Sequence, residues 1–340
     1  MTPYRIRALV DIEPRPELTP RLVARMYACA SERADTAVGA AWNLQIAPAP
    51  PELIRPLRGG LANLALDDLP AALVEDSDAS VDKLLLCSVR AAAGQYTLEA
   101  RDYDLHSRLV GSPVKLVASQ REQLPDQLFQ ALYAAFAPLA QIENVDEDKE
   151  AKQTNVVLRL RAASLPPLDP QLAWAKPGDV FRPVRRYNER DGKLKRVNLL
   201  EWTFLTVDSV NAAELSCKLF SGMRSPLTGR RRGKVEMLAL LARPTGGSTE
   251  LVVRSRLLGG DPNTSRAMSG YAIYSHPYDS PRTVLLGRTD GDGRLTIVAD
   301  ESPLRILMVK HGADTLARLP MMPGLEPELT ADIPDDDQRL

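Results

Sequence analysis

The stretch Gly287-Arg-Thr-Asp290-Gly-Asp-Gly293-Arg-Leu295 constrains the fold more than any other part of the chain. Two β-rich runs, Thr283–Arg288 and Arg294–Ala299, flank it, with apolar or β-branched side chains such as Thr283, Leu285, Leu295 and Ile297 at every second position. Gly291 and Gly293 can take the positive φ of a tight turn, so the reading is a hairpin with Asp290–Gly293 at its tip. A third run, Leu304–Lys310, ends at a second turn signal, His311-Gly312. Short strands so closely spaced predict a small β-sandwich over 268–330. Asp290 and Asp292 raise the question of a calcium pair, but no further oxygen donors follow Gly293, and the pair reads as turn chemistry.

A chain of 340 residues exceeds one small core, so two or three domains are expected. Its 27 prolines and 5% aromatic content favour many loops and strand ends over long helices. The net charge of −1 gives no whole-molecule field. No apolar run approaches the ~20 residues of a membrane span. Cys29, Cys87 and Cys217 lack C-x-x-C spacing, which argues against a disulfide framework or a zinc site. No secretory leader is legible at Met1-Thr-Pro-Tyr-Arg, which lacks an apolar stretch.

In chain order, Tyr4–Ile12 reads as a strand with Ile6, Ala8 and Val10 on one face. Thr19-Pro20 starts a helix, Thr19 as cap and Pro20 in the first turn, with Leu22, Met26 and Ala30 on one face. Trp42–Ile46 is a second strand, and short helices are expected around Pro51–Leu57 and Leu69–Val74. Lys83–Arg90 reads as a strand covered on both faces, and Gln95–Leu105 returns as its hairpin partner. Ser119–Glu122 is a capping box ahead of a helix whose stripe is Leu124, Leu128, Leu132 and Phe136. Sheet on one side and helices on the other give an α+β domain over 1–142.

Gln141–Lys152 is acidic and polar and reads as a linker or solvated loop. Strands then recur at short spacing, with turns at Lys176–Asp179 and Asn188–Lys193. Trp202–Val210 is expected to pair with Glu214–Phe220, and Val235–Leu241 with Glu250–Leu257. This suggests a small barrel or sandwich over 153–258, taken as a β-barrel, so the fold class is α+β, multidomain, ending in a sandwich.

Leu84–Val89, Tyr96–Asp104 and Leu124–Phe136 together resemble the amino-terminal domain of TolB and the related domain of flagellar assembly protein T. The Lys176–Phe181 turn with its charged hairpin resembles the SH3-like barrels attached to the latter. The Gly287–Leu295 motif resembles the transthyretin-like, carboxypeptidase-regulatory type of sandwich, a module that carries no active site. These resemblances imply a modular protein of the bacterial envelope.

No catalytic constellation is legible. His106, His276 and His311 lie far apart with no metal-binding spacing, and nucleophile-elbow and phosphate-loop motifs are missing. Asp102 and Asp104, beside His106, raise the question of acid–base work, but they alternate on one strand face at the solvent end of a hairpin and read as structural or surface carboxylates. No catalytic residue, metal or cofactor is expected. The candidate binding feature is a basic patch: from Arg182 to Lys234 there are 13 Lys and Arg against 5 Asp and Glu. Its members are Arg182, Arg185, Arg186, Arg230, Arg231, Arg232 and Lys234, suited to an envelope protein assembly or an anionic envelope polymer. Aromatic residues do not interleave with these arginines, so nucleic acid is disfavoured. The expected function is non-enzymatic binding or a structural role in an envelope assembly, periplasmic or secreted if a leader is removed and cytoplasmic otherwise. The alternatives are an accessory region that positions a catalytic partner and a cytoplasmic regulatory protein.

Overall fold

The structure, a computed structural model, describes residues 2–74, 81–148, 150, 153–165, 167–169, 171–211, 213–227, 235–256 and 265–334. Strands make up 49% and helices 18% of the described residues, so the architecture is multidomain and β-rich, and the α+β description fits it only in part.

β1 (Tyr4–Ile12), α1 (Pro20–Arg33) and β2 (Trp42–Pro48) form a parallel β-α-β unit, with Tyr4 opposite Trp42. Thr19 caps α1, its hydroxyl accepting from the Leu22 N–H at 3.3 Å. α2 (Pro51–Arg58) and α3 (Ala71–Val74) follow. β3 (Lys83–Ala92) lies parallel to β1 and pairs antiparallel with β4 (Gln95–Asp104). β5 (Leu109–Val110) and β6 (Val114–Ala118) both pair with β4, and α4 (Leu124–Ala135) closes the region.

Helices lie on both faces of this sheet rather than one. α1 and α4 bury Met26, Ala30, Leu128 and Leu132. On the opposite face Leu53, Leu57 and Leu61 pack with Leu9, Leu84, Leu86 and Tyr103. The apolar run of β3 needs two covered faces, which explains the extra layer. The capping box expected at Ser119–Glu122 sits one residue later, where Gln123 Oε1 accepts from the Gln120 N–H at 3.4 Å. The stripe Leu124, Leu128, Leu132 and Phe136 is buried.

The next strands are β7 (Leu139–Asp148), β8 (Gln153–Leu160), β9 (Val180–Asn188), β10 (Leu194–Leu199), β11 (Thr203–Asn211), β12 (Glu214–Ser221) and β13 (Val235–Ala242). Six of them close in the order β9-β11-β12-β8-β7-β13, and β10 hangs from β9 as a hairpin. Two expectations are corrected here. Gln141–Asp148 is not linker but part of β7, bonded to β8 and β13, while 149, 151 and 152 lie outside the described residues. Its far end is acidic because it faces solvent, whereas Ile142 is buried. The expected pairing of Val235–Leu241 with Glu250–Leu257 also fails, since β13 closes the barrel against β7 and β9.

The second of those runs belongs instead to β14 (Ser248–Arg256), the centre of a sandwich sheet. The other strands are β15 (Arg266–Ala267), β16 (Ala272–Pro277), β17 (Val284–Arg288), β18 (Arg294–Val298), β19 (Arg305–His311), β20 (Asp314–Met321) and β21 (Glu328–Pro334). β14 pairs with β21 in parallel and with β18 and β15 antiparallel. The second sheet runs β17-β16-β19-β20. Leu251, Val253, Ile273, Ile297, Leu307 and Val309 fill the space between them. The expected hairpin of Thr283–Arg288 with Arg294–Ala299 is therefore a corner. β17 pairs with β16, β18 with β14, and the Asp290–Gly293 turn carries the chain from one sheet to the other.

The chain divides into two compact units. One holds the first region and most of the barrel; the other holds the sandwich with the ends of β11 and β12.

Candidate functional site

The most concentrated polar chemistry is buried. β3 and β4 pair with Lys83 opposite Asp104, and Leu85 opposite Asp102. Lys83 Nζ stands 2.7 Å from Asp102 Oδ2 and 2.8 Å from Asp104 Oδ2, and all three side chains are shielded from solvent. Asp102 Oδ2 also accepts from the Ala137 N–H at 2.8 Å, and Asp104 Oδ1 from the Ser107 N–H and hydroxyl at 2.6 and 2.7 Å. The Tyr4 and Phe136 rings flank the ammonium. The placement of Asp102 and Asp104 at the solvent end of the hairpin is thus corrected, and of the two roles expected, structural or surface, the structural one fits: α4 and Phe136 roof the face they share.

Burial pushes the Asp102 carboxyl up to about 6, against the pull of Lys83. Burial also opposes ionisation of Asp104, but Lys83 and the Ser107 donors outweigh it and hold that carboxyl below the usual range. For Lys83, burial is outweighed by the two carboxylates, so it keeps its proton. One cation between two acids, with no opening to solvent, is a structural clamp tying the sheet to the chain leaving α4. Nothing here can meet a substrate.

The histidines stay apart. His276 Nδ1 donates to the carbonyls of Pro277 and Ser280, and His311 lies beside the Tyr271 ring. His106 Nε2 faces Glu236 Oε2 at 2.9 Å; an ionised carboxylate only accepts, so the imidazole donates. That bond, helped by Asn188 Nδ2 at 2.6 Å, holds the Glu236 carboxyl low although burial pushes it up. A carboxyl with a depressed folded pKa contributes stability above its unfolded pKa and loses it as pH falls through the folded value. The urea midpoints of wild type and Glu236→Gln are therefore expected to converge as pH drops from about 6 to about 3. A gap that stays constant over that range would refute the assignment. Among the described residues no group of three or more His, Cys, Asp or Glu is placed to hold a metal.

Of the basic patch, Arg182, Arg185 and Arg186 share β9. Arg186 is buried, donating to the His106 carbonyl at 2.6 Å and Asn188 Oδ1 at 3.0 Å. Arg182 and Arg185 are partly buried and engaged. Arg230, Arg231, Arg232 and Lys234 lie outside the described residues.

An open site lies on the sandwich, where β17 and β18 diverge from their turn. Near the turn Leu295 covers Gly287, where an added Cβ would come within 3.0 Å of its Cδ1. Farther along, a groove of about 510 Å³ opens, with Val284 and Leu286 from β17, Thr296 and Val298 from β18, and Ile297 among its lining. Arg282 and the Arg305–Asp300 ion pair also line it, Arg305 being fixed by Ser275 Oγ at 2.6 Å. The register of β17 against β16 slips at Leu286, a bulge that re-aims side chains. Val284 is 40% exposed, Leu285 54%, Leu286 36% and Val298 69%, so four of the eight exposed large apolar residues described gather here. The sequence carried this signal as Thr283–Arg288, but a hairpin reading gave β17 a partner on the side that is open.

The sequence matches no family model and no curated protein. Among solved structures, the chain is similar to TolB from Acinetobacter baumannii at 12% identity and a TM-score of 0.24, over 96% of this chain and 95% of that one. It is also similar to GBS52, the minor pilin of Streptococcus agalactiae, at 7% identity and a TM-score of 0.21, over 48% of this chain and 86% of that one. The Bacillus anthracis TIE protein follows at 9% identity and a TM-score of 0.18, over 65% and 46%. Likenesses this loose carry no argument about what the chain does. The transthyretin-like resemblance of Gly287–Leu295 is not confirmed by these comparisons.

Proposed function

We propose that this protein acts without catalysis, as a binding component of a larger assembly of the bacterial envelope, and that it binds through the open edge of its sandwich. The observation carrying the binding role is the β17 edge: three consecutive apolar residues, Val284, Leu285 and Leu286, face solvent beside a groove. Soluble domains normally blunt such edges with charge, proline or a covering loop, and an uncovered apolar patch marks a contact surface. The envelope setting is supported by the sequence pattern of Leu84–Val89, Tyr96–Asp104 and Leu124–Phe136. These stretches are β3, β4 and α4 of one folded region.

The test is a photo-crosslinking residue at position 285 of the full chain, in the cells that naturally make it. The expected result is a discrete protein adduct in the envelope fraction, lost in a Val284→Lys/Val298→Lys background. A probe at Asp191, on the exposed tip of the β9–β10 hairpin, supplies the background level. Adducts at 285 no different from those at 191 would overturn the proposal.

A further inference from the structure

We infer that the groove beside β17 takes an extended segment of a partner protein as an added strand, with apolar side chains at alternate positions and carboxylates near both ends. This rests on the binding role proposed above and specifies the ligand of that site.

The backbone argument comes first. β17 is bonded to β16 along one edge, and among the described residues no strand occupies the other. Its outward N–H and C=O groups can therefore pair with a further extended chain, the commonest way a sheet edge recognises a peptide. The lining matches that mode. Val284 and Leu286, like Thr296 and Val298, are spaced two residues apart, so an extended ligand places every second side chain between them. Leu285 would remain beside the newcomer and cover its outer face.

Charge then selects the occupant. Arg282 and Arg288 bracket β17, both are exposed, and neither has an ion-pair partner among the described residues. Arg288 donates only to the Gly270 carbonyl, at 2.8 Å. The remaining cation of the groove, Arg305, is neutralised by Asp300. The edge thus presents two unmatched positive charges, one at each end of an apolar strip. A second copy of this chain pairing antiparallel about Leu285 would set Arg282 against Arg288 twice, and like charges directly opposite disfavour a pairing. A segment with carboxylates near its ends meets both arginines.

The experiment uses the full chain and two synthetic peptides, each alternating valine and threonine, one ended by glutamates and the other by lysines. At low salt the glutamate peptide is expected to bind at least ~10-fold more tightly than the lysine peptide. The double variant Arg282→Glu/Arg288→Glu should reverse that order, and Val284→Lys/Val298→Lys should abolish binding of both. These positions are exposed, so circular dichroism and the melting temperature should stay as in wild type, excluding loss of fold. Isotope-edited infrared spectroscopy of the labelled glutamate peptide should show strand formation on binding. Equal affinity for the two peptides overturns the inference, as does concentration-dependent dimerisation abolished by Val284→Lys. If neither peptide binds while crosslinking at 285 still yields its adduct, the ligand chemistry is wrong and the binding role stands. If both fail, both are wrong.

Discussion

Lys83→Met is expected to cost about 3–5 kcal/mol of folding stability, a large part of what a domain possesses. The loss does not come from packing, since methionine fills nearly the same space. It comes from Asp102 and Asp104, which stay in the interior without the ammonium at 2.7 and 2.8 Å. The pH dependence separates this cause from a packing defect. Without the cation both carboxyls have folded pKa values raised above their unfolded values. Such a group contributes its penalty in full above the folded pKa and none below the unfolded one. The gap between variant and wild type should therefore narrow as pH falls from about 7 to about 4. The uncharged triple variant Lys83→Met/Asp102→Asn/Asp104→Asn should recover part of the loss at neutral pH, because amide oxygens can still accept from Ala137 and Ser107. Urea denaturation at several pH values reads all of this. A Lys83→Met protein with a wild-type midpoint would show that water reaches the cluster.

That cluster marks the limit of what the sequence made legible. Alternation along Gln95–Leu105 placed Asp102 and Asp104 on one face, as they are. It could not say that α4 and Phe136 roof that face, because the roof arrives from outside the hairpin. One signal was available: aligning Lys83–Arg90 with Gln95–Asp104 about the Ala93-Gly94 turn sets Lys83 opposite Asp104. A lysine opening an apolar strand with an acid across from it points to a buried pair. Helix starts and hairpins with dedicated chemistry were legible for the same local reason, as at Thr19-Pro20 and at Asp191-Gly192. Long-range pairing was not. β14 finds β18 and β21 far along the chain, and nothing in Glu250–Leu257 distinguishes that from pairing with β13. The acidic face of β7 hid a strand for a related reason, since a half-exposed strand next to polar residues resembles a linker. The groove followed from the same gap, because it exists only if β17 and β18 belong to different sheets.

Gly293→Val is expected to destabilise the sandwich by more than ~4 kcal/mol, the range reserved for changes the structure cannot absorb. Two independent costs combine. Gly293 has φ of +76°, where a β-branched residue is a genuine outlier. A Cβ there would lie 2.4 Å from the Val253 carbonyl oxygen and 3.1 Å from the Met268 nitrogen. Those atoms are bonded to each other at 3.0 Å, and the Val253 N–H donates to the Gly293 carbonyl at 2.8 Å. The corner is pressed against the central strand β14, so relief requires moving backbone that the whole sheet depends on. Its neighbours should respond very differently. Asp290 Oδ1 accepts from the Asp292 and Arg294 amides at 2.9 and 2.8 Å, so Asp290→Ala should cost about 1 kcal/mol. The exposed Asp292 carboxylate orders nothing among the described residues, and Asp292→Ala should stay within about 0.5 kcal/mol. Calcium should leave the melting temperature unchanged, because the turn uses its best acceptor on its own amides. Thermal melts of the three variants with and without calcium test the ranking. A calcium-dependent rise that Asp292→Ala removes would make this corner a cation loop, and a Gly293→Val protein that melts with wild type would mean the corner stands away from β14.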